Sequence, residues 1–419
     1  MIPLYKFVSY ILYFKLYAYG LIKIMQGDRL WRERLVMDKL ESCELWLHAA
    51  SVGEVRVVSY LIDRIASIDP KIRIHLTVMT RSGYETAMAL TCRSLTVSFF
   101  QFDVPTLVRK KLDMLRPRMI VIAETELWPN LILEANDRNI PIVLVNGRMS
   151  ERASKRYRFA RSSFRTLLAT YDQFFFKTKD DSDRFAEFGV TPDRSIVAGD
   201  MKFDAPLIER APTKIHEIRA HLGVADGEFL FVAGSTRPGE EALLFQVYAA
   251  LKSLHPRIRL VIAPRHLDRV GEILSLCTTS GLKPHRYQNN GGTNQEVPVE
   301  SDAIVVVDQM GILNDLYLAG DLAFVGGTLV DLGGHNLLEP VWAGTPVLFG
   351  PSVANVRDAA EYVESNRYGA RVESAEELQA KLADILAGRH SFAVKTASDL
   401  AHSATAVACD YILSRLHHA

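Results

Sequence analysis

The sequence predicts an α/β protein built from two tandem parallel-sheet domains, and three observations lead there. Short apolar runs alternate with amphipathic stretches from residue 44 to about residue 200, and the alternation restarts near residue 229. Runs such as MIVIAET (119–125) and IRLVIAP (258–264) are apolar almost throughout, the mark of strands covered on both faces. A chain of 419 residues also exceeds one ordinary core, so two domains of roughly 200 residues are the natural division.

Composition narrows the class. Apolar residues make up 48% and charged residues 23%, as in a folded chain without disordered tracts. Lysine plus arginine and aspartate plus glutamate both total 49, which excludes a bulk nucleic-acid binder but not local phosphate sites. Cys43, Cys92, Cys277 and Cys409 form no CxxC pair, so the sequence gives no support for a structural zinc site and fits a reducing compartment.

The first element is set apart. MIPLYKFVSYILYFKLYAYGLIKIMQG is rich in Tyr, Phe, Leu and Ile, with lysines at Lys6, Lys15 and Lys23 and no small-residue cleavage signature. Its longest charge-free stretch, Phe7 to Phe14, is too short to span a bilayer unaided. Snorkelling lysines and interfacial tyrosines predict a monotopic or marginally spanning helix within residues 1–30. Arg29, Arg32 and Arg34 suit the anionic cytoplasmic leaflet. The rival reading is a terminal helix packed on its own domain.

Residues 31–205 form the first predicted domain. Strands are expected at ELWLHA (44–49), KIRIHLTVMT (71–80), MIVIAET, IPIVLVN (140–146), FFFKT (174–178) and SIVAG (195–199). Helices are expected at VRVVSYLIDRIASI (55–68), SGYETAMAL (82–90) and WPNLILEANDRN (128–139). PLIERAPTKIHEIRAHL (206–222) is charged and helical and opens the second domain, 206–395. There FLFVAGS, IRLVIAP, AIVVVD, LAFVGG and TPVLFG read as strands, each followed by a helical stretch, while HRYQNNGGTNQEVPVESD (285–302) reads as a polar loop or hairpin. A last helix, 396–419, closes the second domain or crosses back to the first. Two such domains predict a ligand cleft at the carboxyl ends of their strands.

The unusual residues fall at those strand ends: HAASVGEV (48–55), ETELWPN (124–130), NGRMS (146–150), GDMKFD (199–204), GSTRPGEE (234–241), PRH (264–266), DQMG (308–311) and GGHNLLE (333–339). Singly, each has an ordinary explanation. Glu54, Glu126 or Glu241 favours the first turn of a helix, and Trp128–Pro129 packs and starts one. His266 or His335 alone is weak evidence, and no His/Cys/Asp spacing resembles a metal centre. Their shared location decides for a ligand seat. GSTRPGEE presents Ser235, Thr236 and backbone N–H groups to an anion at a helix start.

In this order and spacing, ETELWPN and GGHNLLE above all, the motifs resemble the bacterial 3-deoxy-D-manno-octulosonic acid (Kdo) transferases of lipopolysaccharide biosynthesis, over roughly residues 1–400. The resemblance implies a GT-B glycosyltransferase: two Rossmann-like domains facing a central cleft, acceptor-binding first and CMP-sugar-binding second, with an N-terminal membrane-associated helix. It implies CMP-Kdo as donor, lipid IVA or a Kdo-lipid A precursor as acceptor, and a place on the cytoplasmic side of the inner membrane. Glu54 is then the proton acceptor, and Glu124 and Lys202 support the transition state. Ser51, Gly53, Glu126 and Arg148 complete the substrate-binding residues expected in the first domain. Ser235, Pro264, Arg265, His266, Met310, Gly311, Ile312, Gly334, Asn336, Leu337, Leu338 and Glu339 are those of the second. One departure stands out: the family's Met-Gly-Glu-Leu reads Met310-Gly311-Ile312-Leu313 here, which removes a glutamate contact.

The residue types fit that chemistry. One carboxylate base and no evident nucleophile predict direct displacement with inversion. The absence of an Asp-x-Asp element at a strand end predicts no metal and no cofactor. Expected partners are the donor, the lipid acceptor and the inner-membrane surface, with no nucleic acid; the sequence is silent on oligomeric state. Two rivals remain, a nucleoside-diphosphate-sugar enzyme of the same fold and a peripheral membrane module that has lost its chemistry.

Overall fold

The computed structural model describes residues 2–288, 299–300 and 302–418. The chain divides into two compact units, Met1–Ala205 with Ser398–Ala419, and Pro206–Ala397. Each is built on a seven-stranded parallel sheet.

In the first unit the strands are β1 (Leu45–His48), β2 (Ile74–Val78), β3 (Leu95–Phe99), β4 (Met119–Ala123), β5 (Ile142–Gly147), β6 (Gln173–Phe176) and β7 (Ser195–Val197). Their order is β3-β2-β1-β4-β5-β6-β7. β1, β2, β4 and β5 are buried at every position; β4 is accordingly apolar throughout, while His48, His75, Thr77 and Asn146 are buried polar residues in the other three. Successive side chains still part to opposite faces. Leu45 and Leu47 join Val58, Leu61, Ile62 and Ile65 of helix Val52–Ile68, whereas Trp46 joins Leu131 and Ile132 of helix Pro129–Asn136.

Helix Ala404–His418 crosses back to this unit, burying Ala408, Cys409, Ile412 and Leu416 against the helix Val52–Ile68 face. The return is pinned by the Thr405 amide donating to Asp204 at 2.7 Å and by Arg415 pairing with Asp172 at 2.7 Å.

The second unit contains β8 (Phe229–Thr236), β9 (Ile258–Pro264), β10 (Pro284–Tyr287), β11 (Ile304–Val307), β12 (Leu322–Val325), β13 (Val347–Phe349) and β14 (Gly369–Arg371), in the order β10-β11-β9-β8-β12-β13-β14. β10 corrects the sequence reading. HRY, taken as the start of an irregular loop, is an edge strand paired with β11, and an edge strand need not be apolar. Most of that polar segment, residues 289–298 and 301, lies outside the described residues. β3 and β14, the other unexpected strands, are also at sheet edges.

In the first sheet the chain order runs outward in both directions from β1 and β4; in the second the order turns at β8 and β12, with β9, β11 and β10 on one side and β13 and β14 on the other. These are topological switch points, and the carboxyl ends of the flanking strands are where open α/β sheets place ligands.

The N-terminal helix Ile2–Met25 is long and apolar enough to cross a membrane. One side docks on the first unit. Tyr5 donates to the Asp103 carboxylate at 3.0 Å, Ser9 accepts from Asn130 at 3.4 Å, and Gly20 sits so close to Trp31 that a Cβ would come within 2.8 Å of the ring. The other side leaves large apolar groups bare, with Phe14 72% and Met25 89% exposed. Both sequence readings thus describe part of the helix: it packs on its own unit and keeps an apolar face free.

Lys111 of helix Pro105–Leu115 is 1% exposed, its ammonium held by Ser98 Oγ at 3.0 Å and the Phe99 carbonyl at 2.9 Å. Burial pulls its pKa down to about 7, against the opposing pull of Glu33. In the unfolded chain a lysine titrates near 10.4, so the unfolded state binds the extra proton between about pH 7 and 10 and native stability gains as pH rises through that window. Lys111→Met removes the titration. The melting temperature of the variant, measured against the parent, is expected to be most favourable at pH 6 and to lose ground by pH 9.5; a difference independent of pH would show that Lys111 does not titrate there.

Candidate active site

Helix Val52–Ile68 starts immediately after β1 with a capping box. Ser51 accepts from the Glu54 amide, and Glu54 Oε2 accepts in return from the amides of Ala50 and Ser51. Among the described residues no bond reaches Glu54 Oε1. The ordinary reading of Glu54 as a helix-start residue is therefore correct, and it leaves one oxygen available. Glu54 is 8% exposed, and its pKa is pushed up to about 7, first by burial and then by the nearby charges of Glu124 and Glu126. A carboxylate so poised is suited to accept a proton near neutrality.

Glu124 and Glu126 follow β4, the neighbour of β1. Glu124 adopts φ +57°, a left-handed backbone rarely taken by a non-glycine residue, and its carboxylate is held by Arg148 Nε at 2.8 Å. Thr125 donates to the Arg148 carbonyl, so ETE and NGR are tied together at both side chain and backbone. Burial and Glu124 raise the pKa of Glu126.

The turn WPN begins a helix that has no cap of its own. Trp128 offers no capping bond and Pro129 has no N–H. Asp103 supplies the cap instead: its two oxygens accept from the amides of Asn130 and Leu131, both at 2.9 Å. Trp128 is fixed from another side, donating its indole N–H to His48 Nε2 at 3.1 Å. Burial, assisted by Lys111, takes His48 down to about 3, so this imidazole is neutral and free to accept. His48 and Asp103 are functional supports that sequence reasoning missed.

Lys202 lies in the short turn Met201–Phe203. Its ammonium is 3.3 Å from Asp200, which also receives Lys177 at 2.6 Å. Two lysines thus meet at one carboxylate. The turn is anchored by the Met201 amide donating to Asn146, itself at φ +54°.

In the second unit Ser235 sits at φ +55° where the β8–β9 register shifts, turning the chain into the Thr236–Arg237 segment. Gly326 makes its closest approach there: a Cβ would meet the Ser235 carbonyl at 2.4 Å. Glu240 holds this meeting together. Fully buried, its carboxylate accepts four backbone amides, from Arg237 at 2.9 Å, Gly327 at 2.8 Å, Thr328 at 3.1 Å and Leu329 at 3.0 Å. Glu241 pairs with Arg269 at 2.8 Å and is structural.

Pro264 and Arg265 are carried to the same place, the Arg265 amide donating to the Thr236 carbonyl at 3.1 Å. His266 accepts from Arg237, and His335 is close enough to Arg237, Arg265 and His266 for their charges to depress its pKa, after burial. Gly334, at φ +81°, turns the chain into Asn336, whose amide nitrogen donates to Glu339 at 3.0 Å. Glu339 is raised by burial and held down in part by Asn336 and Arg265.

Leu337 and Leu338 continue the same stretch. Their side chains are buried, and the Leu338 amide is already taken by Asn336 at 3.1 Å. Met310 and Gly311 form an exposed turn whose base is fixed by Arg286 on Asp308. Ile312 occupies the helix start with no side-chain cap, and Asp315 is engaged by Lys214 at 2.7 Å. Neither restores the missing glutamate contact.

The comparisons agree with these motifs. A family model described as 3-deoxy-D-manno-octulosonic-acid transferase (kdotransferase) matches residues 29–205. The chain is 31% identical over 311 residues to the 3-deoxy-D-manno-octulosonic acid transferase of Haemophilus influenzae, covering 74% of this chain and 71% of that one. It is 36% identical over 338 residues to a bifunctional glycosyltransferase/methyltransferase of Fusobacterium nucleatum; the match takes in 80% of this chain but only 51% of that relative, about half its length. Among solved structures, UDP-GlcNAc 2-epimerase from Neisseria meningitidis bound to UDP-GlcNAc has a TM-score of 0.52 at 12% identity, over 90% of this chain and 100% of that one. That likeness is one of fold alone, and with two Rossmann-like parallel sheets it makes the architecture GT-B-like.

The Glu240 clamp generates a direct test. Glu240→Gln keeps the shape but turns an NH₂ group toward two backbone donors, each costing about 1–3 kcal/mol when left unpaired. Calorimetric melting should show a clear drop in stability of the unit that contains it, and a melt identical to the parent would remove Glu240 from its structural role.

Proposed function

The chain belongs to the Kdo transferases, a glycosyltransferase family of lipopolysaccharide biosynthesis, and from that premise we propose that it transfers Kdo from CMP-Kdo to a lipid A precursor, lipid IVA, with inversion. One observation carries the reading furthest. The glutamate that the family resemblance assigns as proton acceptor, Glu54, lies at a topological switch point with a pKa near 7 and an oxygen to spare.

In this reading an acceptor hydroxyl attacks the anomeric carbon of Kdo. Its proton passes to Glu54 as the bond from that carbon to the phosphate oxygen breaks, and CMP departs with the electron pair. Lys202, beside Asp200, and Glu124, oriented by Arg148, support the transition state. In the second unit Arg265, Asn336 and Glu339 hold the nucleotide, the carboxylate accepting from ribose hydroxyls. No metal or cofactor takes part. The exposed apolar face of helix Ile2–Met25 supports attachment to the cytoplasmic side of the inner membrane, where a lipid acceptor is reached without leaving the bilayer surface.

Incubation with CMP-Kdo and lipid IVA, followed by product masses, tests the reading and counts the sugars added. Donor preference separates it from the nucleoside-diphosphate-sugar alternative: CMP should compete and UDP should not.

Glu54 must lose its proton to act, so kcat/KM is expected to climb with pH through about 7 and then level off. Glu54→Gln should lower the rate by roughly 10²–10⁴-fold and leave CMP affinity within a few-fold. A variant that keeps more than about a tenth of the parent rate would sink the assignment, given the usual size of a general-base contribution.

For the membrane, the double change Phe7→Glu and Phe14→Glu alters only the free face of the helix and spares its docking to Asp103 and Asn130. Flotation with anionic vesicles should fall sharply while CMP binding persists; equal flotation of both proteins would place the membrane surface elsewhere.

A further inference from the structure

Six buried polar atoms of the second unit lack a hydrogen-bond partner among the described residues; Trp342 Nε1, Arg371 Nε and His390 Nε2 are three of them, and the others are Thr236 Oγ1, Arg237 Nε and His335 Nε2. The latter three share one place. All three border the Gly326–Gly327 turn. A Cβ on Gly326 would come within 2.5 Å of Thr236 Cα, and one on Gly327 within 3.4 Å of His335 Nε2 and 3.6 Å of Arg237 Cγ. Orphaned polar atoms at one spot are costly unless a ligand completes them.

The charges around the spot identify the ligand's sign. Among the described residues no carboxylate lies within ion-pair distance of Arg237 or Arg265. The partner found for the Arg237 guanidinium is His266, another basic side chain, which must be neutral at Nε2 to accept. Burial first, and then the charges of Arg237 and Arg265, disfavour protonation of His335. Glu240, buried beside the turn, has both oxygens committed to backbone amides, and Glu339 feels the charge of Arg265 without an ion pair to it among the described residues. A guanidinium resting on an imidazole, beside an open hydroxyl and a second imidazole, is arranged for an anion with several acceptor oxygens.

We infer that Arg237, Thr236 and His335 form the seat of the phosphate group of the nucleotide, with Arg237 turning from His266 to the anion when it arrives. The inference rests on the reading of this protein as a CMP-sugar transferase and adds to it residues that the family resemblance did not assign. Arg265 then lies at the rim of the seat, and the leaving phosphate is met chiefly by a guanidinium held over the Gly326–Gly327 turn. The Glu240 clamp acquires a second purpose, since it fixes both the Arg237 backbone and that turn.

Ligand-observed NMR titration of the full-length protein with CMP, UMP and cytidine tests this. Arg237→Ala and His335→Gln should each weaken CMP by at least about tenfold, the usual value of a charge-assisted contact, and weaken cytidine much less, because only CMP carries the phosphate. Arg237→Lys should recover part of the loss. Removing Arg237 strands no buried acid, so the variants should fold, as their melting curves will show. Loss of CMP affinity no greater than that of cytidine would overturn the phosphate seat. If the parent binds CMP in preference to UMP and is indifferent to Arg237, the seat alone falls; if the parent does not prefer CMP, the transferase reading falls and takes the seat with it.

Discussion

Everything polar that matters in this protein depends on where the strand order of a parallel sheet reverses. Crossovers between parallel strands are right-handed, so the helices following strands on either side of a reversal leave toward opposite faces. The carboxyl ends of the two strands at the reversal are left uncovered. In the first sheet those strands are β1 and β4, and they deliver Glu54 and the pair Glu124–Glu126. In the second they are β8 and β12, and they deliver Ser235–Arg237 and Gly326–Gly327. The backbone is bent out of its ordinary range at two of these ends, with Glu124 and Ser235 left-handed, and again at Asn146 of the neighbouring β5. Each such residue costs on the order of 1–3 kcal/mol and persists only where its surroundings over-determine it.

Buried acceptors provide that determination. Asp103 caps the WPN turn, His48 holds Trp128, Asn146 receives the Met201 amide and Glu240 collects four amides. Each sits where a water molecule would otherwise be needed to satisfy a loop. Each also ties elements distant in the chain. Asp103 does one thing more: it accepts from Tyr5 of the N-terminal helix with the same oxygen that caps Asn130. The element with the free apolar face and the turn that follows Glu126 therefore share a single carboxylate.

These distances explain what was legible in the sequence. The central strands could be read because burial on both faces makes them predominantly apolar. The edge strands β3, β10 and β14 could not, because an edge strand tolerates polar residues and β14 is only three residues long. Glu54 was legible because its cap is local, four residues from Ala50. The Glu240 clamp reaches 87 to 89 positions along the chain, and nothing in GSTRPGEE distinguishes it from the neighbouring Glu241, which only pairs with Arg269. Arg237 stood in plain view within the same motif. Its meaning depends on His266 and His335, which three different strands and turns bring to it.

The two units divide the electrostatics in a way that matches the two halves of a transfer. In the first, three carboxylates gather at one switch point, and their mutual repulsion with burial keeps Glu54 protonatable near neutrality. In the second, two arginines and two histidines gather, and among the described residues neither arginine has an ion pair, although Glu339 feels the charge of Arg265. An acidic cluster raises the affinity of a carboxylate for a proton, and a basic cluster raises the affinity of its site for a departing anion. Neither arrangement favours stability: like charges held together cost free energy in the folded state, and the buried clamps offset that cost. The same side chains redistributed as ordinary ion pairs would make a more stable fold with no means of accepting a proton or receiving a phosphate.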